Sequence, residues 1–313
     1  MRGSQHSSGV AVYLPQEWAD DAARREKAGV PQSVVFATKP AIALQRIEQL
    51  LAQGAPRHCV LADAGYGMDT AFRERLSDLG LQYAVGITGS TTVWPPGHAP
   101  LPPKAHRGNG RVPTLLRRGA TAEQRPLSVK DVAFEIDPDD WHEVTWREGT
   151  NAPLRSQFAR VRVRAAHRDY WRSALREEEW LIIEWPEGHD EPMKYWLSTL
   201  PEDMPLERMV YETKMRWRIE RDYQDLKQDL GLGQYEGRGW RGFHHHASLS
   251  IAAYGFLLGQ RLRHPDDAGG KKNSDRRVPA LPTHYKPRGS PANAAPRPIL
   301  HHELAAAYRL TIG

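Results

Sequence analysis

Residues 216–233, RWRIERDYQDLKQDLGLG, combine cations, a carboxylate and aromatic rings at helical spacing. On a helical wheel of about 100° per residue, Arg216, Glu220 and Lys227 share one stripe, and Tyr223 lies beside it. The apolar residues of the segment form the next stripe: Ile219, Leu226 and Leu230. A glutamate at the edge of a buried face could hold a divalent cation against a phosphodiester, while neighbouring Arg and Lys bind the flanking phosphates.

The same helix has a plainer interpretation. Arg216 and Glu220 are four residues apart, and an i, i+4 ion pair of this kind contributes only about 0.3–0.5 kcal/mol. The wheel alone favours this structural role. The catalytic role is favoured because several cations surround one carboxylate next to an apolar stripe, so both interpretations stay open.

A second carboxylate, Asp63, stands at the end of the apolar run in RHCVLAD and precedes AGYG. Loops at the carboxyl ends of strands are where α/β sheets place their binding sites. Asp63 could equally cap the turn or helix that follows. Asp63 and Glu220 are far apart along the chain, and nothing in their spacing shows that they meet.

Two further basic groups could contact nucleic acid. In RVRVR, strand alternation puts Arg160, Arg162 and Arg164 on one face, which suits a DNA backbone. Exposed arginines are also common on strands, so a solvated face is the alternative. The glycine-rich segment YEGRGWRG offers charge and a ring that could meet DNA by stacking: Arg238, Trp240 and Arg241.

Histidines 244–246 invite a metal interpretation. Consecutive residues on a helix point in different directions, so three adjacent histidines make a poor chelate, and we interpret them as the start of a helix. The single Cys59 excludes an intramolecular disulfide and a multi-cysteine metal site. Its apolar surroundings predict a buried, inert thiol.

The composition indicates a soluble globular protein, since 40% of the 313 residues are hydrophobic and 26% are charged. The net charge of +5 is compatible with a polyanionic partner, although a basic surface kept for solubility explains it equally well. No apolar run approaches the roughly 18–20 residues of a membrane span. The N-terminus lacks the hydrophobic region of a secretory signal, so we expect no membrane association.

The first part of the chain alternates strands and helices. The pattern predicts strands at 9–14 and 81–88, and residues 57–67 are predicted to form a buried strand that runs into a glycine-rich turn. Helices are predicted at 39–54 and 68–80, each ended by a glycine. Such alternation argues for an α/β fold with at least one parallel pair of strands.

The character of the sequence changes at Gly89. After a long connection rich in Pro, Gly and Arg, β-like runs follow at 131–136, 158–166, 178–186 and 193–200. The pattern returns to helix at 204–232. A further helix at 245–263 is apolar nearly all round in its middle, which predicts a buried helix. The composition beyond residue 263 predicts a disordered basic tail.

The motifs resemble those of one enzyme family. The spacing of Arg216, Glu220 and Lys227 resembles the Y-R-E-K signature of bacterial insertion-sequence transposases of the DDE type. VLADAGYG resembles the strand that carries their second Asp, and GLGQYEGRGWRGFHHHASLSIAAYGFLL resembles the segment after their catalytic Glu in one group. Together these similarities cover roughly residues 10–290.

The resemblance implies an α/β fold with an RNase H-like core, a mixed sheet with flanking helices, interrupted by a predominantly β insert. It assigns 9–88 to the N-terminal part of the core and 89–203 to the insert. The C-terminal helices of the core would occupy 204–263, and the tail 264–313. A bacterial transposase would be cytoplasmic and associated with the nucleoid.

The resemblance also implies a chemistry. Asp63 and Glu220 would bind two Mg²⁺ or Mn²⁺ ions that promote phosphodiester cleavage and strand transfer at insertion-sequence ends. Arg216, Tyr223 and Lys227 would contact DNA. The partner would be double-stranded DNA, at the ends of the element and at its target, and a homodimer on DNA is the assembly to consider.

Two departures from the family pattern affect these expectations. Thr213 stands where the signature has Tyr, and the nearby Tyr211 is displaced on the wheel. The family's first Asp lies on a strand upstream of anything in this chain, and Asp20 and Asp21 are no substitutes. We therefore expect an N-terminally truncated transposase with impaired activity.

Two other functions remain open. The chain could be a non-catalytic DNA-binding remnant of a transposase, whose DNA binding would not depend on Glu220. It could also be a metal-dependent hydrolase of small substrates, although the stripe of Arg and Lys argues against that alternative.

Overall fold

In the computed structural model, residues 11–148, 153–263 and 311–312 are described, and their strands form one mixed sheet. The strands, in chain order, are β1 (Val60–Ala62), β2 (Tyr83–Ile87), β3 (Thr92–Trp94), β4 (Leu127–Ser128), β5 (His142–Glu148), β6 (Pro153–Ala165), β7 (Glu179–Trp185), β8 (Lys194–Ser198) and β9 (Thr311–Ile312). They lie in the order β4-β3-β6-β7-β8-β2-β1-β9, with β5 paired to β6.

Strand β1 is parallel to β2 and to β9, whereas the other pairs are antiparallel. The predicted parallel pair is therefore confirmed. The strands of the insert continue the same sheet, because β8 pairs directly with β2.

Helices flank this sheet, as the resemblance led us to expect. They are α1 (Gln16–Ala19), α2 (Ala22–Ala28), α3 (Lys39–Ala52), α4 (Ala64–Gly67), α5 (Thr70–Asp78), α6 (Val129–Phe134), α7 (Leu206–Lys214), α8 (Trp217–Gln228) and α9 (Trp240–Arg263). Short 3₁₀ turns lie at Ala122–Gln124, Pro138–Asp140, Asp169–Trp171 and Leu232–Gln234. The fold is thus mixed α/β and consistent with an RNase H-like architecture.

Two hydrophobic clusters cover the two faces of the sheet. Helices α3, α5 and α6 contribute to the first, with Ile47 and Phe72 fully buried. Helix α7 contributes Met209 to the second. Neighbouring residues of β7, Leu181 and Ile182, belong to different clusters, as the alternation of side chains along a strand requires.

Local signals place the helices that precede and follow Asp63. The Thr38 hydroxyl accepts a hydrogen bond from Ala41 N at the start of α3, and the Asp69 carboxylate accepts one from Phe72 N at the start of α5. These are the N-cap contacts that begin a helix. Both helices match the predicted segments to within two residues at their ends.

The turn after β1 depends on two glycines. A Cβ added to Gly67 of α4 would lie 1.9 Å from the carbonyl oxygen of Gly86 in β2. A Cβ on Gly86 would lie 3.1 Å from Ala64 N. The backbones of α4 and β2 can therefore touch only because neither residue has a side chain. This contact holds the turn that carries Asp63 against the sheet.

Two strand predictions were wrong. Residues 129–134 form α6, because Val129, Val132 and Ala133 are buried at helical spacing and Ser128 caps the first turn. Six residues that alternate over a short stretch do not distinguish the two periods. Residues 11–14 of the predicted first strand are irregular, and residues 9–10 lie outside the described part.

The prediction of a buried helix at 245–263 was also wrong. Helix α9 begins earlier, at Trp240, and only Ala247 and Ser250 are buried. Its main contacts are with α8 and the 232–234 turn, and Leu249 and Phe256 remain 59% and 64% exposed. Cys59 is half-buried rather than buried.

The predicted tail lies outside the described residues, apart from strand β9. Within the described ranges, no helix is both long enough and apolar enough to span a bilayer.

The contact between α4 and β2 leads to a test by Gly67→Ala. The added methyl group must displace the backbone of β2, so we expect a loss of about 1–3 kcal/mol in the free energy of unfolding. Gly259→Ala is the matched control, because a Cβ at Gly259 in α9 meets nothing within 4 Å. There we expect no loss, or a gain of about 0.5–1 kcal/mol from helix propensity. Urea denaturation of both variants measures the difference, and equal stabilities would contradict the close approach.

Candidate active site and nucleic-acid interface

The structure brings the two predicted carboxylates to one cavity. This cavity has a volume of about 590 Å³ and is lined by Asp63, Arg216, Ile219, Glu220, Tyr223, Gln224, Lys227 and Gln228. All residues of the stripe predicted on the wheel are among them. Asp63 faces this stripe from the end of β1, so residues distant in sequence share one surface.

Different elements position the two carboxylates. Asp63 is the N-cap of α4, and its Oδ1 accepts a hydrogen bond of 2.9 Å from Gly65 N. The predicted capping role is therefore confirmed, and it leaves the other carboxylate oxygen for a further partner. Glu220 lies in the first turns of α8, where its side chain is 65% exposed.

The predicted ion pair is present on α8. Arg216 donates to Glu220 Oε1 at 2.8 Å. About two turns further on, Lys227 Nζ lies 5.6 Å from the centre of the Tyr223 ring. The cavity thus carries two positive charges beside its two carboxylates, and both cations can bind phosphate oxygens.

Tyr66 is a residue of this region that the sequence reasoning missed. It is 7% exposed and belongs to α4, three residues after Asp63. Burial raises the pKa of its hydroxyl, and the Asp63 carboxylate and Tyr223 raise that pKa further. The hydroxyl therefore stays protonated and remains a potential hydrogen-bond donor near Asp63. Tyr66 is part of the motif VLADAGYG, but the motif does not indicate that this tyrosine is buried.

The donor atoms of the cavity suit a hard cation. They are carboxylate oxygens of Asp63 and Glu220 and the amide oxygens of Gln224 and Gln228. Mg²⁺ is commonly held by one or two carboxylates, with water and substrate phosphates completing the coordination. Among residues 11–148 and 153–263, no group of three or more His, Cys, Asp or Glu side chains could hold a metal ion. The residues present fit a cation that is completed by substrate, and the expected pair of ions stays a prediction.

The three arginines of β6 are engaged within the protein. The guanidinium groups of Arg160 and Arg162 lie 4.6 and 4.9 Å from the centre of the Trp180 ring. Arg164 donates to Glu178 Oε1 at 3.0 Å. Their shared face is as predicted, but binding DNA would require them to exchange these partners, and their role in DNA binding stays a prediction.

The glycine-rich segment leads into α9. Arg238 and Arg241 are exposed, and the ring of Trp240 packs against that of His244 at a tilt of 38°, with centroids 4.3 Å apart. His246 Nε2 lies 2.9 Å from Gly231 O, and His244 Nδ1 lies 2.9 Å from Trp240 O. His244 and His246 thus stabilise the start of α9, while Arg238 and Arg241 stay available to bind phosphates.

Sequence reasoning also missed an exposed aromatic turn at 167–172, HRDYWR. Tyr170 and Trp171 are 43% and 60% exposed, and their rings meet edge to face at 5.7 Å. Arg168 lies 4.9 Å from the centre of the Trp171 ring and has φ 52°, the one positive φ outside glycine in the described residues. Backbone strain of this kind concentrates at functional sites.

A buried carboxylate holds this turn in place. Asp169 is 3% exposed and accepts hydrogen bonds from Trp94 Nε1 at 2.7 Å and from Arg118 Nε at 3.0 Å. His167 Nδ1 lies 3.0 Å from Thr70 Oγ1, at the start of α5. Burial, and then the positive charges of neighbouring arginines, lowers the pKa of His167. The turn therefore presents two rings in a positive environment.

Comparison with known families agrees with part of this picture. Residues 8–153 match the family model described as DDE superfamily endonuclease. No curated protein matches the chain. The matched region contains Asp63 and ends before Glu220. The match supports a domain of the DDE transposase type in the first half of the chain, which is similar to nucleases that act on DNA.

Proposed function

We propose that this protein is a metal-dependent DNA nuclease of the transposase type, which cleaves phosphodiesters at insertion-sequence ends and transfers the freed strand. One observation carries the proposal: Asp63 and Glu220, distant in sequence, line one cavity together with Arg216 and Lys227. Two carboxylates and two cations in one cavity match the charge pattern of a phosphodiester bound with a divalent ion.

Each residue of the cavity has a distinct task in this proposal. Asp63 and Glu220 would hold Mg²⁺ or Mn²⁺, and a bound ion supplies Lewis-acid activation of the phosphodiester and of the attacking hydroxyl group. Arg216 keeps Glu220 in place through the 2.8 Å ion pair until a phosphate competes for its guanidinium. Lys227 and Tyr223 orient the neighbouring nucleotide by charge and by ring contact.

A second candidate function is DNA binding without catalysis. It is favoured by the ion pair that engages Glu220, and by the absence of a third acidic ligand near the cavity among residues 11–148 and 153–263. Under this alternative the cations of the cavity still bind phosphates, and the salt dependence of affinity reports how many of them do so.

Glu220→Gln distinguishes the two functions. Replacing a ligand carboxylate by an amide should reduce nicking of supercoiled plasmid in Mg²⁺ or Mn²⁺ by at least about 100-fold, and Asp63→Asn should do the same. DNA affinity, measured by gel shift, should stay within about twofold, because no phosphate contact is removed. We expect slow nicking from the chain itself.

Glu236→Gln, at an exposed position before α9, is the matched control and should leave nicking unchanged. Metal-dependent nicking that survives in Glu220→Gln would contradict the assigned site. Salt-dependent DNA binding without nicking in either metal would establish the second function instead.

The 167–172 turn extends the proposed DNA interface. Thr70, which contacts His167, is seven positions after Asp63, so the two Cα atoms are at most about 25 Å apart. A DNA strand that enters the cavity could therefore reach the turn within several nucleotides. Exposed rings flanked by arginines are suited to stacking with unpaired bases.

Trp171→Ala tests this contact. Removing one stacking ring should weaken binding of a single-stranded oligonucleotide by about 1–3 kcal/mol, roughly 5- to 150-fold, with a smaller effect on blunt duplex. Leu175→Ala removes an apolar side chain of similar exposure, 44%, from the same loop and should change neither affinity. Fluorescence anisotropy with both DNAs gives the comparison, and equal losses in the two variants would refute stacking.

A further inference from the structure

Lys214, the last residue of α7, lies in a cage of aromatic rings. Its Nζ is 4.1 Å from the centre of the Trp146 ring, and 5.4 Å from the centres of both the Phe158 and the Trp196 ring. The same nitrogen pairs with Glu184 Oε2 at 2.5 Å. These partners come from β5, β6, β8 and β7, so one ammonium group is held by four strands of the insert.

The cage excludes water from a charged pair. The Lys214 and Glu184 side chains are only 11% and 5% exposed. Burial lowers the pKa of Lys214 to about 8, against the opposing effect of Glu184. The ring faces and the carboxylate stabilise the ammonium in place of water, and cation–π contacts are strongest in such desolvated settings. A lysine that served only solubility would not occupy this position.

The cage lies next to the junction between α7 and α8, the helix that carries Glu220. Helix α8 begins three residues after Lys214 and has no buried residue of its own. Its first turn contacts the insert, because the Arg147 guanidinium of β5 lies 3.9 Å from the centre of the Trp217 ring. Further along, α8 contacts the 232–234 turn and α9. Met215, between the two helices, is 7% exposed. Glu220 is one turn beyond Trp217, so a small rotation at the junction moves its carboxylate away from Asp63.

We infer that Lys214 is a positioning residue, which clamps the junction between α7 and α8 to the insert and thereby aims Glu220 at Asp63. The inference rests on the proposed function, because it takes the cavity between these carboxylates as the metal site. It assigns to the insert a task besides the predicted contact with DNA, namely to set the geometry of a carboxylate that is not part of it. Supporting residues of this kind commonly change metal affinity without touching the metal.

The test measures Mn²⁺ binding to the purified 313-residue chain by electron paramagnetic resonance, without DNA. Lys214→Met keeps the length of the side chain and removes its charge, and should weaken Mn²⁺ binding about 10-fold or more. Lys214→Arg keeps the charge and should restore most of the affinity. Lys130→Met is the matched control, because Lys130 forms an exposed ion pair with Glu191, and it should leave Mn²⁺ binding unchanged.

The pH dependence separates positioning from general stability. The charged groups that face Lys214 are Glu184 on β7 and Lys194 on β8. Because the pKa of Lys214 is about 8, the clamp is charged below that pH and is lost as the pH rises through it. Wild-type Mn²⁺ affinity should therefore fall from about pH 7 to about pH 9 towards that of Lys214→Met, whereas Lys214→Arg should not change.

Two further comparisons decide the outcome. If Glu220→Gln does not weaken Mn²⁺ binding in the wild-type background, the proposed metal site fails and the inference fails with it. If Glu220→Gln weakens binding but Lys214→Met does not, only the positioning role is refuted. Should Lys214→Met lose its native circular dichroism, Lys214→Arg and the wild-type pH profile still give the answer, and a flat wild-type profile would overturn the inference.

Discussion

The antiparallel ladder between β2 and β8 is the interaction on which the rest of the structure depends. It pairs Ala84 with Ser198, and Ser198 Oγ donates to Tyr83 O at 2.9 Å. Because α7 and α8 follow β8 directly, the ladder also returns the chain to the strand next to β1. Glu220 can face Asp63 only because the insert leaves the core after β2 and comes back beside it.

Buried charges reinforce this arrangement from within. Glu179 of β7 accepts a hydrogen bond of 2.7 Å from the Tyr83 hydroxyl of β2. Burial raises the pKa of Glu179, and the positive charge of Arg73 on α5 is the largest opposing effect. Separating the members of this network would leave buried polar groups without partners, which costs free energy in a low-dielectric interior. The network therefore disfavours any other register of the strands. Together with the caged Lys214, it specifies how the insert is attached to the core, beyond what apolar packing would require.

Much of the fold could be predicted from local periodicity. Helices α3 and α5 and the strands near 158–166, 178–186 and 193–200 were long or strongly patterned enough to assign. Helix α6 was not, because its six residues fit either period. The exposure of α9 could not be predicted, since an apolar helix reveals nothing about how many neighbours it has.

Some features of the candidate site could likewise be predicted from local geometry, and others could not. The wheel predicted that Arg216, Glu220 and Lys227 share a stripe, because that depends only on helix geometry. Their meeting with Asp63 depends on strand order, which spacing does not encode. Alternation placed Arg160, Arg162 and Arg164 on one face, but their pairing with Trp180 and Glu178 arises from neighbouring strands and loops.

The ladder between β2 and β8 also has a kinetic consequence. Its two strands are separated by more than a hundred residues, and closing a flexible loop of that length costs roughly 4 kcal/mol in chain entropy. Sheets dominated by such distant pairings fold slowly. The hairpins β5–β6, β6–β7 and β7–β8 form between neighbouring segments and shorten the effective loop before it closes. We therefore expect the strands of the insert to pair before the core is complete, and the cavity between Asp63 and Glu220 to form late in folding.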